Sequence, residues 1–336
     1  MGRVVLVTGV SHDFGSRFAR SIAADPAVER VIGVDVVPPR GDMGEVGFVR
    51  ADIRNPVIAK VIAGQEVDTV VHMSVHATGG PGSRSSMKEH NVIGSMQLLA
   101  ACQKAPGLER LVVKSSTAVY GSSSRDPAMF TEDVAAKRMP RSGYAKDVLE
   151  VEGYVRGFAR RRPDVLVTML RAANTLGPRV GSPLAQYFRL PVVPTVLGYD
   201  ARLQFLHETD LLAAVQHATL AGVHGTFNVA GDGVLMLSQA VRRLGRPTVG
   251  VPGFALNSLG SFVKQAGLKS LSPDLTGFLT FGRGVDTRRM RDVLGFHPDY
   301  SSEDAFADFA RSVGPGPITL PRAVAPGGPD LGGAHG

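Results

Sequence analysis

The stretch "TGVSHDFG", Thr8–Gly15, decides the fold. It follows the apolar run "VVLV" and carries glycines at its second and last positions, Gly9 and Gly15. A glycine-rich turn between a strand and a helix places backbone N–H groups and the positive helix end against a pyrophosphate. Between these glycines, where a third is expected, stand His12 and then the acid Asp13. The stretch therefore predicts a dinucleotide loop that a side chain obstructs.

Outward from this loop, strand-like runs alternate with amphipathic stretches. Helices are expected near Gly15–Asp25, Lys88–Lys104, Gly143–Arg162 and Ser302–Ser312. The strand runs are apolar throughout, as in a parallel sheet covered by helices on both faces. They read "RVVLVTG", "RVIGVDVV", "GFVRADI", "DTVVHMSV", "RLVVKSSTAVY" and "DVLVTMLRAAN". The pattern predicts an α/β fold, a Rossmann-type doubly wound parallel sheet with a smaller, partly interleaved C-terminal substrate lobe.

Asp35 ends the second strand, twenty residues after Gly15. An acid at this place accepts hydrogen bonds from the adenosine ribose and repels a 2′-phosphate, which favours NAD over NADP. Arg40 is the one nearby residue that argues for NADP. The alternative is that Asp35 only opens a turn before Pro38 and Pro39.

The organisation of the chain follows from these patterns. Residues 1–174 are expected to form an NAD-binding domain, to which residues 204–230 return. Residues 175–203 and 231–313 are assigned to the substrate lobe. The glycine- and proline-rich stretch 314–336 is expected to be disordered.

Composition narrows the class of protein. The 336 residues are 43% hydrophobic, carry a net charge of +7 and include no tryptophan, so stacking platforms for single-stranded nucleic acid are not expected. The basic run Arg160–Arg162 is explained by the end of a helix. No run approaches the ~20 apolar residues that span a bilayer, and no secretory signal is seen. Cys102 is expected to be a buried thiol. We expect a cytoplasmic protein without nucleic-acid, membrane or metal partners.

The chain resembles the extended short-chain dehydrogenase/reductase family, specifically its NAD-dependent epimerase/dehydratase group. The family loop reads TGxxGxxG, and the resemblance covers about Arg3 to Ser312. Segments that resemble family signatures, in the family's order, are "ADIRN", "VVHMSV", "NVIGSMQLLAAC", "RLVVKSSTAVYG", "LRAANTLGP", "QFLHETDL", "GTFNVAG" and "VDTRRMRDVLGFHP". The resemblance implies NAD as cofactor and a homodimer formed through the helices Lys88–Lys104 and Gly143–Arg162. The cofactor-binding residues it implies are Gly9, Ser11, His12, Phe14, Gly15, Asp35, Asp52, Ile53, Met73 and Ser74.

In the family, the middle glycine of the loop lets the backbone approach the pyrophosphate closely. His12 adds a ring there, Asp13 places an anion in the first helical turn, and Ser11 is expected to be the N-cap. Either the ring is displaced and the dinucleotide binds more weakly, or the pocket is vestigial. Weakened binding is the preferred interpretation, since Gly9 and Asp35 are kept.

The family's catalytic residues are a Ser or Thr on the fifth strand, a Tyr, and a Lys four residues after the Tyr. Ser116 matches the first, and Tyr144 in "PRSGY" matches the second. The lysine position is Val148. Lys146 is two residues from Tyr144, a rotation of roughly 200° that places it on the opposite face of the helix.

Lys114 offers a replacement. A strand alternates faces, so Lys114 and Ser116 point to the same side. Burying an ammonium without a partner is costly, and the cofactor ribose and Tyr144 would supply acceptors. We therefore predict that Lys114 takes over the missing role. The alternatives are that it pairs with a surface acid such as Glu109, or that the site is inactive.

On the substrate side, the resemblance implies Asn174, Gln204, His207 and Arg283. Each is open to the alternative of a satisfied structural polar residue. The apolar segment "VPGFALNSLGSFVKQAGL", 251–268, is expected to line a hydrophobic pocket or to cover a partner surface.

The sequence therefore leads to one preferred function and two alternatives. The preferred function is an NAD-dependent oxidoreductase or epimerase that acts on a hydroxyl or carbonyl of a nucleotide sugar or related alcohol. The first alternative is a catalytically impaired ligand sensor or interaction protein. The second is a sterol- or lipid-type alcohol dehydrogenase.

Overall fold

A seven-stranded parallel sheet forms the centre of the molecule in a computed structural model, which describes residues 2–75, 84–135, 140, 143–253 and 272–316. The strand order is β11-β6-β5-β4-β1-β2-β3. The strands are β1 (Arg3–Thr8), β2 (Val28–Asp35), β3 (Gly47–Arg50), β4 (Thr69–His72), β5 (Arg110–Ser116), β6 (Leu166–Ala172) and β11 (Gly225–Val229). All their pairings are parallel, which confirms the predicted doubly wound α/β fold.

Helices connect these strands. They are α1 (Asp13–Ala23), α2 (Val57–Gly64), α3 (Arg84–Lys88), α4 (Gly94–Gln103), α5 (Gly143–Arg161) and α7 (Glu208–Ala221). A π-helical turn, Glu89–Ile93, joins α3 to α4. Helix α1 begins two residues before the predicted start because His12, and not a later residue, has the extended conformation of an N-cap.

The apolar strand runs form the core, as their composition predicts. Val5, Leu6 and Val7 of β1 are fully buried. Helix α1 covers one face with an amphipathic stripe whose buried side chains include Phe18 and Ile22. Burying such side chains is the main source of stability for this layer.

A smaller lobe follows β6 and is built from short strand pairs. β7 (Asn174–Leu176) pairs with β10 (Phe205–His207), and β8 (Val193–Val196) pairs with β13 (Thr248–Val251). β9 (Arg202–Leu203) lies between β12 (Leu235–Met236) and β14 (Gly282–Arg283). Its helices are α6 (Pro183–Phe188), α8 (Leu237–Arg243), α9 (Pro273–Phe281) and α11 (Ser302–Val313), whereas α10 (Arg288–Asp292) packs on β11 and buries Met290 in the core of the central sheet.

The lobe has its own core, which is rich in aromatic side chains. Phe188 makes edge-to-face contacts with Phe205 and Phe306 at ring-centroid distances of 6.4 and 5.2 Å. Most of the apolar segment 251–268 and of the glycine- and proline-rich tail lies outside the described residues. None of the helices within the described ranges is long and apolar enough to cross a bilayer.

The topology places the site. The strand order reverses between β1 and β4, and ligands of doubly wound sheets bind at such a switch point, outside the carboxyl ends of the strands. The glycine loop follows β1 at this edge, and the last residues of β5 and β6 lie beside it.

Candidate active site

A cavity of about 360 Å³ opens at the carboxyl edge of the sheet. Its walls include the glycine loop, the ends of β5 and β6, the first turn of α5 and the loop after β7. Among the predicted site residues, those that line it are Gly9, His12, Phe14, Gly15, Met73, Lys114, Ser116, Tyr144 and Asn174. The structure thus brings the predicted cofactor loop and all three predicted catalytic residues to one cavity.

The glycine loop has the close backbone approaches that a phosphate cradle needs. Gly9 has a φ of +82°, a conformation that favours glycine. A Cβ on Gly9 would lie 3.2 Å from the hydroxyl oxygen of Ser74, and a Cβ on Gly15 would overlap the carbonyl oxygen of Gly9. Both glycines are therefore required, and their spacing fits a dinucleotide pyrophosphate at the start of α1.

His12 does not strain this loop. It is the N-cap of α1, with φ −89° and ψ 146°, an extended conformation open to any residue, and its side chain is exposed. The prediction that Ser11 is the N-cap is wrong. The Ser11 hydroxyl instead donates to Asp35 Oδ2 at 2.7 Å, because the loop turns it toward the end of β2.

Asp35 lies at the carboxyl end of β2 and is 9% exposed. Its Oδ2 accepts the Ser11 N–H at 3.0 Å in addition to the hydroxyl, and its Oδ1 accepts the Val36 N–H at 2.8 Å. These bonds hold the carboxylate at the end of the glycine loop, the position from which an acid contacts the adenosine ribose.

The remaining predicted cofactor residues lie at or near the same edge. Ser74 is buried against Gly9, and Ile53 is buried with its side chain against Gly94. Asp52 forms a two-oxygen ion pair with Arg54 at 2.6–3.0 Å, which lowers the pKa of the carboxyl. Phe14 is half-buried and packs on the main core.

Ser116 and Tyr144 both face the cavity, close enough for the Ser116 hydroxyl to affect the pKa of the phenol. The Ser116 Oγ also accepts the Ala118 N–H at 3.1 Å, which fixes the serine at the end of β5. Burial raises the pKa of the Tyr144 phenol to about 12, against the smaller lowering by the Ser116 hydroxyl. The charge of Asp147 also raises this pKa.

Lys114 faces the cavity from β5. Glu109, the alternative partner weighed from the sequence, instead lies 3.9 Å from Arg3. Within the described residues the Lys114 amine makes no hydrogen bond or ion pair, and burial lowers its pKa to about 8. Its predicted role beside Tyr144 stays a prediction.

The helix after Tyr144 offers no cation at the usual place. Val148 is 1% exposed and belongs to the core. Lys146 lies 3.6 Å from Glu150 on a partly exposed face and does not line the cavity. Asp147 is fully buried, and its Oδ2 accepts the Asn91 Nδ2–H at 3.2 Å. The buried face of the turn that follows the phenol is therefore apolar and acidic.

The four predicted substrate residues do not all lie at the cavity. Asn174 lines the cavity, and Gln204, His207 and Arg283 do not. The Gln204 side-chain amide donates to the Gly231 carbonyl at 3.0 Å and accepts the Val285 N–H at 2.8 Å. His207 lies 3.1 Å from Asp308 and is stacked on Tyr300. Arg283 donates to the Gly121 carbonyl at 2.7 Å.

Sequence reasoning missed a charged wall of the cavity. Arg17 of α1 forms a 2.6 Å ion pair with Glu208, at the start of α7, and lies 3.5 Å from Asp13. The other Glu208 oxygen accepts the Arg179 N–H at 3.2 Å. The Asp13–Arg17 spacing of four residues was visible in the sequence, but the partner Glu208 lies 191 residues away.

A buried ion pair beneath the site was also missed. Arg171 of β6 donates two hydrogen bonds to Glu152 of α5, at 2.9 and 2.7 Å. Glu152 also accepts the Ser115 hydroxyl at 2.6 Å, and Arg171 donates to the Tyr120 hydroxyl at 2.8 Å. This network ties α5, which carries Tyr144, to the strand that carries Ser116.

Comparison with known proteins identifies the family. The model of the NAD dependent epimerase/dehydratase family matches residues 5–230. The chain belongs to this family. NAD as cofactor is therefore confirmed at the level of the family. An uncharacterized protein of Mycobacterium tuberculosis strain H37Rv is 49% identical over 328 residues, which cover 96% of this chain and 87% of the relative.

Solved structures share the fold. The dTDP-glucose 4,6-dehydratase of Bacillus anthracis in complex with NAD aligns with a TM-score of 0.68 at 19% identity and covers 93% of this chain and 96% of its own. The UDP-glucose 4-epimerase of Thermotoga maritima with UDP-glucose aligns with a TM-score of 0.68 at 18% identity and covers 92% and 98%. At these identities the likeness shows the fold.

Proposed function

We propose that this protein is an NAD-dependent oxidoreductase or epimerase that acts on a hydroxyl or carbonyl of a nucleotide sugar or a related alcohol. The observation that carries the proposal is the meeting of Lys114, Ser116 and Tyr144 in the cavity that begins at the glycine loop. Membership of the family and structural likeness to a dehydratase and an epimerase of nucleotide sugars support the substrate class.

The residues divide the work as follows. Gly9 and Gly15 let the backbone approach the pyrophosphate, which the N–H groups at the start of α1 hold, and Asp35 holds the adenosine ribose. The bound nicotinamide supplies reversible hydride transfer. The Ser116–Tyr144 pair orients the substrate oxygen at the end of β5. Lys114 supplies the amine that the family places on the helix.

The buried Val148 supports the second candidate, a ligand sensor that keeps the fold without turnover. Calorimetric titration with NAD⁺ and NADP⁺, followed by absorbance at 340 nm with a set of alcohols and nucleotide sugars, separates the two. The enzyme requires NAD⁺ binding and substrate-dependent reduction. If neither dinucleotide binds at millimolar concentration, the proposal that this protein is an NAD-dependent enzyme is wrong.

The preference for NAD⁺ is tested at Asp35. Replacing Asp35 by serine removes the charge that repels a 2′-phosphate and is expected to narrow the NAD⁺ over NADP⁺ preference by about tenfold (~1.4 kcal/mol). The matched control is Asp25→Ser in the turn between α1 and β2, which is expected to leave the ratio unchanged. An unchanged ratio in the Asp35 variant would mean that the acid only holds the Ser11 turn.

The predicted homodimer is proposed through the outer faces of α4 and α5. Ile93, the last residue of the π-helical turn before α4, and Tyr154 of α5 are exposed, at 40% and 38%. Light scattering of the Tyr154→Arg variant is expected to show a monomer if these faces meet, whereas Val293→Arg, elsewhere on the surface, leaves the dimer intact. The cytoplasmic location also stays a prediction.

A further inference from the structure

Two groups that can carry a proton face the cavity from different walls. The Tyr144 phenol comes from the first turn of α5, and the Lys114 amine comes from β5. Ser116, two residues after Lys114 on the same strand, lines the same cavity and lies near the phenol. A substrate oxygen in this cavity therefore meets a hydroxyl pair and an amine, and the surroundings of each decide which one accepts a proton.

The surroundings of Tyr144 oppose a phenolate. The family's lysine position on α5 holds Val148, which is part of the core, and Lys146 pairs with Glu150 on the outer face. The fully buried acid Asp147, three residues after Tyr144, places a negative charge behind the ring. Because burial and this charge both disfavour ionisation, the pKa of Tyr144 rises to about 12.

The surroundings of Lys114 oppose an ammonium. In the described part of the chain no carboxylate is paired with it, and desolvation alone lowers its pKa to about 8. His72 on the neighbouring strand β4 is buried and neutral, with a pKa of about 3. The other charged groups on the cavity wall lie on α1, on the loop after β7 and on α7, and they are Asp13, Arg17, Arg179 and Glu208. Glu208 is held by Arg17 at 2.6 Å, so it does not fix the amine as a cation.

We propose that the amine of Lys114, and not the Tyr144 phenolate, is the base of this site. The inference rests on the proposed oxidoreductase function. The substrate O–H bond breaks, and its proton moves to the Nζ lone pair. The O–H electron pair forms the second carbon–oxygen bond as a hydride leaves that carbon for the oxidised nicotinamide, and the ammonium returns the proton in the reverse direction. Ser116 and Tyr144 stay protonated, and the Tyr144 phenol donates a hydrogen bond to the substrate oxygen.

The first test needs no turnover. Reductive methylation with ¹³C-formaldehyde labels lysine amines, and the signal absent from Lys114→Met identifies Lys114. Its ¹³C shift is expected to titrate near pH 8, below the ordinary value of a lysine amine, about 10.4. A Lys114 midpoint above pH 10 would overturn the proposal.

The second test follows the phenol. The chain has six tyrosines and no tryptophan, so tyrosine ionisation near 295 nm is measured without an indole background. The difference between the parent protein and Tyr144→Phe isolates Tyr144. No ionisation of Tyr144 below pH 10 is expected, and a step below pH 9 would make the phenolate the base and overturn the proposal.

The third test splits the two roles kinetically. The value of kcat/KM for oxidation is expected to rise through pH 8 and to fall by about 10³-fold in Lys114→Met. Tyr144→Phe is expected to lose only about tenfold and to keep the same pH break, and Lys146→Met is the matched control. Loss of the pH break in Tyr144→Phe with its retention in Lys114→Met would contradict the inference. If NAD⁺ does not bind, the proposed oxidoreductase function is wrong. The ¹³C titration would still measure the protonation state of the Lys114 amine.

Discussion

A Cβ atom placed on Gly15 would overlap the carbonyl oxygen of Gly9. The two residues are brought together because the loop reverses between the end of β1 and the first turn of α1. The N–H groups of Gly9, Ser11 and His12 donate within the protein, to the Val34 carbonyl, Asp35 Oδ2 and the Gly9 carbonyl, so a phosphate would be bound by the N–H groups of the first turn of α1. The glycine at position 15 is therefore needed for packing, whereas the glycine at position 9 is needed for its positive φ.

Gly15→Ala is expected to destabilise the protein by about 2 kcal/mol and to abolish dinucleotide binding, because the backbone must move to admit the methyl group. Urea unfolding and calorimetry measure the two effects. The matched control is Gly153→Ala in α5, where a Cβ meets nothing within 4 Å. That change is expected to stabilise the helix by about 0.5–1 kcal/mol. If the Gly15→Ala protein keeps the stability and the dinucleotide affinity of the parent, the loop has room for a methyl group at this position.

His12→Gly is expected to tighten NAD⁺ binding by about tenfold (~1.4 kcal/mol). The backbone at this position is extended and accepts any residue, so the expected gain comes from removing the ring beside the pyrophosphate. Calorimetry measures the change, and adenosine, which lacks the pyrophosphate, serves as the control ligand with unchanged affinity. Equal NAD⁺ affinity in both proteins would mean that the ring already points away from the phosphates.

The sequence was sufficient for the central sheet because its strands are buried on both faces and are apolar throughout. The alternation of a strand was also sufficient to place Lys114 and Ser116 on one side, and both line the cavity. Helix boundaries were less secure. The π-helical turn Glu89–Ile93 lies within a predicted α-helix, and periodicity alone does not distinguish the two.

Long-range polar contacts were not predictable from a single sequence. Glu208 reads as a helix N-terminal acid, and nothing local indicates that Arg17 lies 2.6 Å from it. Ser11 stands one residue before the observed N-cap. Although serine is favoured as an N-cap, the Ser11 hydroxyl forms its hydrogen bond with the Asp35 carboxylate instead. Gln204 and His207 were predicted at the site from resemblance, and their polar atoms hold the smaller lobe together.

The Glu152–Arg171 pair gives a prediction about stability. Glu152→Gln leaves the buried guanidinium without its counter-charge and is expected to lower the free energy of unfolding by about 3–5 kcal/mol. Urea unfolding measures the loss. The control is Glu303→Gln, whose partner Arg243 lies on the surface, with an expected loss below about 1 kcal/mol. Equal losses in the two variants would mean that the buried pair is hydrated.

His72 gives a prediction about pH. Ser95 Oγ donates to the Asn91 carbonyl, so it accepts Nε2–H of His72 at 2.7 Å. Nδ1 of the neutral ring is then an acceptor, and the Thr8 hydroxyl, which also accepts the Met73 N–H, donates to it at 2.9 Å. The neutral ring is thus fully bonded, and burial, with smaller contributions from His90 and Lys114, lowers its pKa from 6.5 to about 3.

Because the folded pKa lies below the unfolded one, the unfolded chain binds more protons between pH 3 and 6.5. The contribution of His72 to stability is therefore complete above pH 6.5 and is lost as the pH falls toward 3. His72→Asn is expected to be less stable at pH 7, and its unfolding free energy should fall less steeply between pH 6 and 4, by about 1.4 kcal/mol per pH unit. Urea unfolding across this range measures the slope, with His297→Asn on the surface as control. Identical slopes for the parent and His72→Asn would mean that the imidazole is charged in the folded protein, and the assignment of Nδ1 as an acceptor would then be wrong.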